Sequence, residues 1–111
     1  MKITCVEKYR LIINSSAESD LKIAADWYAS QNAELDLDFI EEIEKSIQRI
    51  QQNPQQFAEV RKQIRMSIVK RFPYGIYFYV AGVIINVFAV FHFSRNPKVL
   101  RKRITPIIKK K

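Results

Sequence analysis

The sequence predicts an α+β domain: an N-terminal strand, a two-helix hairpin and a three-stranded antiparallel meander, with the helices packed on one face of the sheet. Three observations carry this. Apolar residues recur at helical spacing from Leu21 to Ile50. The spacing gives way to alternation after Ile64, and the β-branched and aromatic runs that follow are separated by turn signals. A chain of 111 residues, 48% hydrophobic and 27% charged, has the size and composition of one globular domain. Residues 1–111 are therefore read as one unit, with 1–8 a possible extension and 104–111 a basic tail.

Tyr9 to Asn14 is rich in β-branched and aromatic residues and stops at Ser15-Ser16, which marks a short strand. Residues 1–8 either extend it or form a tail. Ser15-Ser16-Ala17-Glu18 fits a capping box, with Ser15 as the cap. Leu21, Ala24, Ala25 and Tyr28 then make one apolar helical stripe. Gln31-Asn32 is the expected break. A second helix is expected from about Ala33 to Gln52, with Leu35, Phe39, Ile43, Ile47 and Ile50 on its buried stripe. Pro54 disfavours helical geometry at Asn53 and ends it.

In the next segment Ile64, Met66 and Ile68 alternate with Arg65, Ser67 and Val69, which predicts a strand with one wet face. Tyr74–Val80 and Val83–Phe93 flank the turn pair Ala81-Gly82 and complete the meander. Phe72 to Ser94 contains no charged residue and is long enough to suggest a membrane span. Pro73, Gly75, Gly82, Asn86 and His92 within it, and its aromatic content, suit a buried hairpin instead, so no membrane is expected. The tail, Arg95 to Lys111, is basic, with Lys109–Lys111 expected to fray.

Net charge is +8 and strongly segregated. Residues 15–60 hold ten acids against Lys22, Lys45 and Arg49, whereas residues 61–111 hold thirteen Lys and Arg and no acid. Solubility does not require such segregation; a polyanion or an acidic partner explains it. One cysteine excludes a disulfide framework and a cysteine-based zinc site, and one histidine excludes a two-histidine metal site. There is no Gly-rich phosphate loop, nucleophile elbow, HExxH or CxxC. No cofactor or metal is expected. Met1–Cys5 is not followed by the apolar run of a signal peptide, and a cytoplasmic location is expected.

The candidate functional residues are basic and aromatic. Cutting RNA without a metal needs a phosphate clamp and a proton carrier. Arg95 and His92, three residues apart at the end of the last strand, supply those residue types. They are the catalytic candidates if the chain is a nuclease. Arg65, Lys70, Arg71, Tyr74 and Tyr77 on the strands, and Lys98, Arg101, Lys102 and Arg103 in the tail, are candidates for contact with RNA or a target protein. Each has a plainer role available. His92 between Phe91 and Phe93 can be a hydrogen-bonded packing residue, Arg95 can pair with a helical carboxylate, the tyrosines can be sheet packing, and Arg65 can be solvated.

The sequence resembles the RelE/ParE superfamily of toxins from type II toxin–antitoxin modules. The resemblance lies in Ala17, Asp20-Leu21, Ala24 and Trp27-Tyr28, in Phe39 and Glu42, and in Asn53-Pro54 with Phe57. It continues in Ile64-Arg65, Phe72-Pro73-Tyr74-Gly75-Ile76-Tyr77-Phe78 and Ala89 through Pro97, and covers roughly residues 9–103. It implies a small bacterial toxin neutralised by a cognate antitoxin in a hetero-oligomer. Members of the superfamily act in two ways. RelE-like toxins cut mRNA in the ribosomal A site with Lys, Arg and a C-terminal Tyr; ParE-like toxins inhibit DNA gyrase. Here Gly75 stands where the nuclease branch carries an Arg, Met66 and Ile68 stand at the approximate positions of its lysines, and the tail has no Tyr. That tips the expectation to the ParE-like branch. A nuclease using His92 and Arg95, or a non-toxic binding module of the same fold, are the alternatives.

Overall fold

A computed structural model describes residues 8–109, with side chains through Ile108. Residues 1–7 of the possible extension 1–8, and Lys110-Lys111 of the expected frayed end, lie outside the described residues. Strand β1 (Arg10–Ile13) leads directly into helix α1 (Ser15–Gln31). Asn14 does two jobs at that junction. Its amide donates to the carbonyl of Val87 at 3.0 Å, ending the sheet ladder, and its side chain accepts from the amide of Ala17 at 2.9 Å. The helix cap is therefore Asn14 and not Ser15. Both residue types cap well, and the strand pairing fixes the extended backbone that a cap needs at Asn14.

Helix α2 (Leu35–Gln52) starts two residues later than its apolar pattern suggested. Glu34 adopts a left-handed conformation, φ 76°, and its carbonyl accepts from the amides of Leu37 and Asp38. A 3-10 turn, Pro54–Gln56, carries the chain past the sheet to a short strand that the sequence did not announce, β2 (Glu59–Arg61). The meander follows as β3 (Ile64–Ile68), β4 (Tyr74–Ala81) and β5 (Ile84–His92). The sheet order is β1-β5-β4-β3-β2, antiparallel except for β1, which lies parallel to β5. The helical hairpin thus crosses one face from the β1 edge to the β2 edge.

The expected basic tail is a third helix, α3 (Pro97–Lys109). Val99, Leu100, Ile104, Ile107 and Ile108 fall at helical spacing among the cations and pack on the other face of the sheet. The sheet face left open by the expected hairpin packing is thereby partly covered. Two cores result. The larger joins Ala24, Tyr28, Phe39, Ile43 and Ile50 of the hairpin to Val69, Ile76, Phe78, Ile85, Val87 and Val90. The smaller joins Ile104 to Ile64, Tyr77, Phe88, Ala89 and Phe91.

A bulge feeds both. Tyr77 pairs with Ala89 but Phe78 pairs with Val87, so Phe88 is the extra residue of β5. Phe88 and Ala89 consequently point to the same side, toward α3. The predicted wet face of β3 is also corrected. Ser67 and Val69 are buried under α2, and the Ser67 hydroxyl has no hydrogen-bond partner among the described residues. The exposed residue of β3 is apolar Ile68, on the opposite face. Alternation alone cannot reveal which face a later helix will cover. Among the described residues no helix is long and apolar enough to cross a membrane.

Candidate functional site

Asp20 lies on the apolar stripe of α1, three residues after Ala17 and four before Ala24, so helical geometry aims its carboxylate at the sheet. What it meets there is an unfinished strand edge. β1 pairs with β5 only as far as Val87, leaving the next stretch of β5 without a strand on that side. Asp20 and Arg103 finish it. The Val90 amide donates to the Asp20 carboxylate at 3.0 Å, and the Arg103 guanidinium donates to the Phe88 carbonyl at 3.1 Å.

Arg103 also donates twice to the same carboxylate, at 2.7 and 3.0 Å. This forked pairing is the strong form of a charge-assisted hydrogen bond. Arg95 approaches Asp20 to 3.5 Å, and both guanidinium groups lie over the Phe91 ring, at 4.0 and 4.7 Å from its centroid. A single buried acid therefore ties α1, β5 and α3 together. The sequence reading missed Asp20 as a working residue, although a carboxylate inside an apolar helical stripe is a legible signal.

The other candidates separate into three groups. Tyr74 and Tyr77 are packing residues. Tyr74 stands edge-on to Phe39 and His92 in the hairpin core, and Tyr77 faces Phe91 in the α3 core. Burial raises the phenol pKa of both above 10.0, and raises that of Tyr28 beside Tyr74 as well. Arg71, in a left-handed turn at φ 71°, reaches Asp38 at 3.5 Å and Glu42 at 3.7 Å on α2, pinning the β3–β4 turn to the hairpin. Arg65 donates to the carbonyls of Phe57 and Gln55 and holds the segment that leads into β2. It also lines a groove of about 630 Å³ with Glu59, Gln63, Tyr79 and Pro106. The third group is exposed, without an ion pair among the described residues: Lys70, Lys98, Arg101 and Lys102.

His92 and Arg95 make different contacts. The His92 ring packs on Tyr74, 5.1 Å between centroids, whereas the Arg95 guanidinium sits over Phe91 and reaches Asp20 of α1. The Ser94 amide donates to Nδ1 of His92 at 3.0 Å, and the Ser94 hydroxyl is 2.8 Å from the same nitrogen. An amide can only donate, so Nδ1 is the acceptor and the neutral ring carries its proton on Nε2. Among the described residues no group of His, Cys, Asp and Glu is placed to hold a metal ion.

The positions that resemble the nuclease branch's cationic ones form an apolar surface here. Ile68 pairs with Gly75, which pairs with Phe91, and the Met66 thioether lies over the glycine. A Cβ on Gly75 would sit 2.7 Å from the Met66 sulfur and 3.2 Å from the Phe93 ring.

A family model described as the ParE toxin of the type II toxin–antitoxin system parDE matches residues 11–97. No curated protein matches the sequence. A solved structure described as the chromosomal ParDE toxin–antitoxin system from P. aeruginosa is similar to this chain with a TM-score of 0.70 at 22% identity, over 78% of this chain and 98% of that one. With all but the first residue of β1, the whole hairpin and the whole meander inside the matched range, the chain belongs to the ParE toxin family of type II toxin–antitoxin systems.

Proposed function

We propose that this toxin acts by binding, as an inhibitor of a cellular protein such as DNA gyrase, and that a cognate antitoxin neutralises it in a hetero-oligomer. A gyrase or ribosome target places its work in the cytoplasm. The observation that carries the reading is the apolar surface of Met66, Ile68 and Gly75 where cleavage in the nuclease branch needs cations. The commitments of both residues within the fold support it: the Arg95 guanidinium faces Asp20 and the Phe91 ring, and Nδ1 of His92 accepts from the Ser94 amide. The antitoxin segment expected from the charge pattern is acidic and apolar, folding along the cationic α3 side as it binds, with Lys98, Arg101 and Lys102 as its first electrostatic contacts.

Two assays on the purified chain test this. Inhibition of gyrase supercoiling, with no cleavage of ribosome-bound mRNA, is the expected result. Ribosome-dependent cleavage that disappears in His92→Ala and Arg95→Ala moves the function to the nuclease alternative. A chain that slows neither process and leaves growth unaffected on expression is a binding module without toxicity.

A further inference from the structure

The face of the sheet that α3 covers is covered only in part. Ile104 seals the region over Tyr77, Phe88 and Phe91, but Ile68 at the end of β3 remains 60% exposed and Phe93, just past β5, 49% exposed. Strand pairing sets Ile68, Gly75 and Phe91 side by side across three strands. Gly75 has no side chain, so the Met66 thioether and the Phe93 ring both close over it. The result is a continuous apolar surface of Ile68, Met66 and Phe93 with an unbranched, adaptable thioether at its centre.

Its surroundings are cationic. Lys70 follows Ile68 by two residues, Arg95 stands over the adjoining Phe91 while also reaching Asp20, Lys98 lies in the first turn of α3, and residues 61–111 contain no Asp or Glu. The contrast with the hairpin is direct. Ile23 and Trp27 are also exposed apolar residues, but they lie on the helix that carries Glu18, Asp20 and Asp26, in the acidic part of the chain.

We infer that Ile68, Met66 and Phe93 form the docking surface for the toxin's target, a folded protein that presents an apolar side chain ringed by carboxylates. This rests on the reading of the chain as a toxin that acts by binding. Charge fixes the sign of the partner. Like-charged cations around the patch oppose a second copy of a chain with net charge +8, and attract an acidic surface. Size fixes its kind. A disordered segment needs a long groove to offset the entropy lost on ordering, whereas a few apolar side chains on a rigid sheet fit a preformed surface. An RNA target would meet phosphate-binding groups at the centre of the patch, and the centre is a thioether and an isoleucine.

The test uses the full chain and four variants: Ile68→Asp, Phe93→Asp, Ile68→Lys and, as a control on the hairpin, Ile23→Asp. All four substitute exposed residues, and circular dichroism with thermal melts establishes that each is folded. Growth arrest on expression and fluorescence of anilinonaphthalene sulfonate, an apolar anion that mimics the partner's chemistry, are read in parallel. The two patch variants with Asp are expected to lose growth arrest and to weaken dye binding about tenfold, the loss of a contact worth roughly 1.4 kcal/mol. Ile68→Lys is expected to lose less than Ile68→Asp in both readouts, and Ile23→Asp to match the parent.

Folded Asp variants that arrest growth and bind dye like the parent overturn the surface assignment. So does full growth arrest in Ile68→Lys with enhanced binding of a single-stranded oligoribonucleotide, which identifies an RNA-facing surface. A parent chain that never arrests growth, but whose dye site is lost in Ile68→Asp and Phe93→Asp, overturns the toxin reading while supporting an anion-seeking apolar surface at this place.

Discussion

The two faces of the sheet are built on different plans. Under the helical hairpin the core is thick, with Phe39, Ile43 and Ile50 interlocked with Ile76, Phe78 and Val87, and the outer surface is acidic. Under α3 the core is thin, the outer surface is basic, and Ile68 and Phe93 are left in solvent. The first face holds most of the core; the second leaves apolar and charged groups in solvent. The Asp20 carboxylate, held by Arg103 and approached by Arg95, reaches from one plan to the other, so it sets how strongly the α3 face is coupled to the hairpin face.

The sharpest way to break that comparison is Asp20→Ala. It strips the partner from the Val90 amide and leaves the half-buried Arg103 guanidinium unpaired. The expected cost is about 3–5 kcal/mol, seen in urea melts, with faster hydrogen exchange at Val90. Asp20→Asn, which keeps an acceptor but not the charge, should lose less. A loss below about 1 kcal/mol in Asp20→Ala means that the two faces are joined by packing alone.

Next in size are truncations on either side. Phe39→Ala should cost about 3–5 kcal/mol and Ile104→Ala about 2 kcal/mol. Both side chains are fully buried, but the space around Ile104 is bounded by a helix at the protein surface that can shift inward. Equal losses, measured by chemical denaturation, would show that the α3 face is as tightly packed as the hairpin face.

Alkaline pH provides a third, smaller contrast. Burial raises the pKa of Tyr28 and Tyr74 in the folded chain above the unfolded value of 10.0, so the unfolded state releases its protons first. Stability is intact below pH 10.0 and falls as pH rises through that value. Tyr74→Phe, which removes one such proton, should flatten the fall in melting temperature between neutral and alkaline pH. An unchanged slope means that Tyr74 does not contribute to it.

The smallest expected effect on stability lies on the outer face of α3. Lys98→Gln, Arg101→Gln and Lys102→Gln should each change stability by less than about 0.5 kcal/mol, because the side chains are exposed and unpaired among the described residues. Together they should nonetheless reduce the salt dependence of antitoxin binding, measured by titration at several ionic strengths. A stable triple variant with an unaltered salt dependence would place the electrostatic contact elsewhere.

Much of this was legible in the sequence because it depends on local periodicity. The hairpin and the meander follow from the spacing of Leu21 to Ile50 and from the β-branched runs after Ile64. The tail hid its helix, since five apolar residues at helical spacing were outvoted by a run of Lys and Arg. β2 was too short, at three residues, to show a pattern. Among the candidate site residues the sequence could not sort structural cations from free ones. Arg71, Arg95 and Arg103 look no different in sequence from Lys98 or Arg101; their acidic partners lie tens of residues away.

The sequence by itself determined β1, the helical hairpin, the three-stranded meander, the charge segregation and the resemblance to a toxin family, since each rests on residues close along the chain. Tertiary structure alone decided that α3 returns across the second face, that Asp20 completes the edge of β5, and that Arg95 and Arg103 converge on that carboxylate. The physical reason is that those outcomes depend on where β1 stops pairing with β5, a register between segments more than sixty residues apart in the chain, and on a bulge in β5 that no local pattern marks.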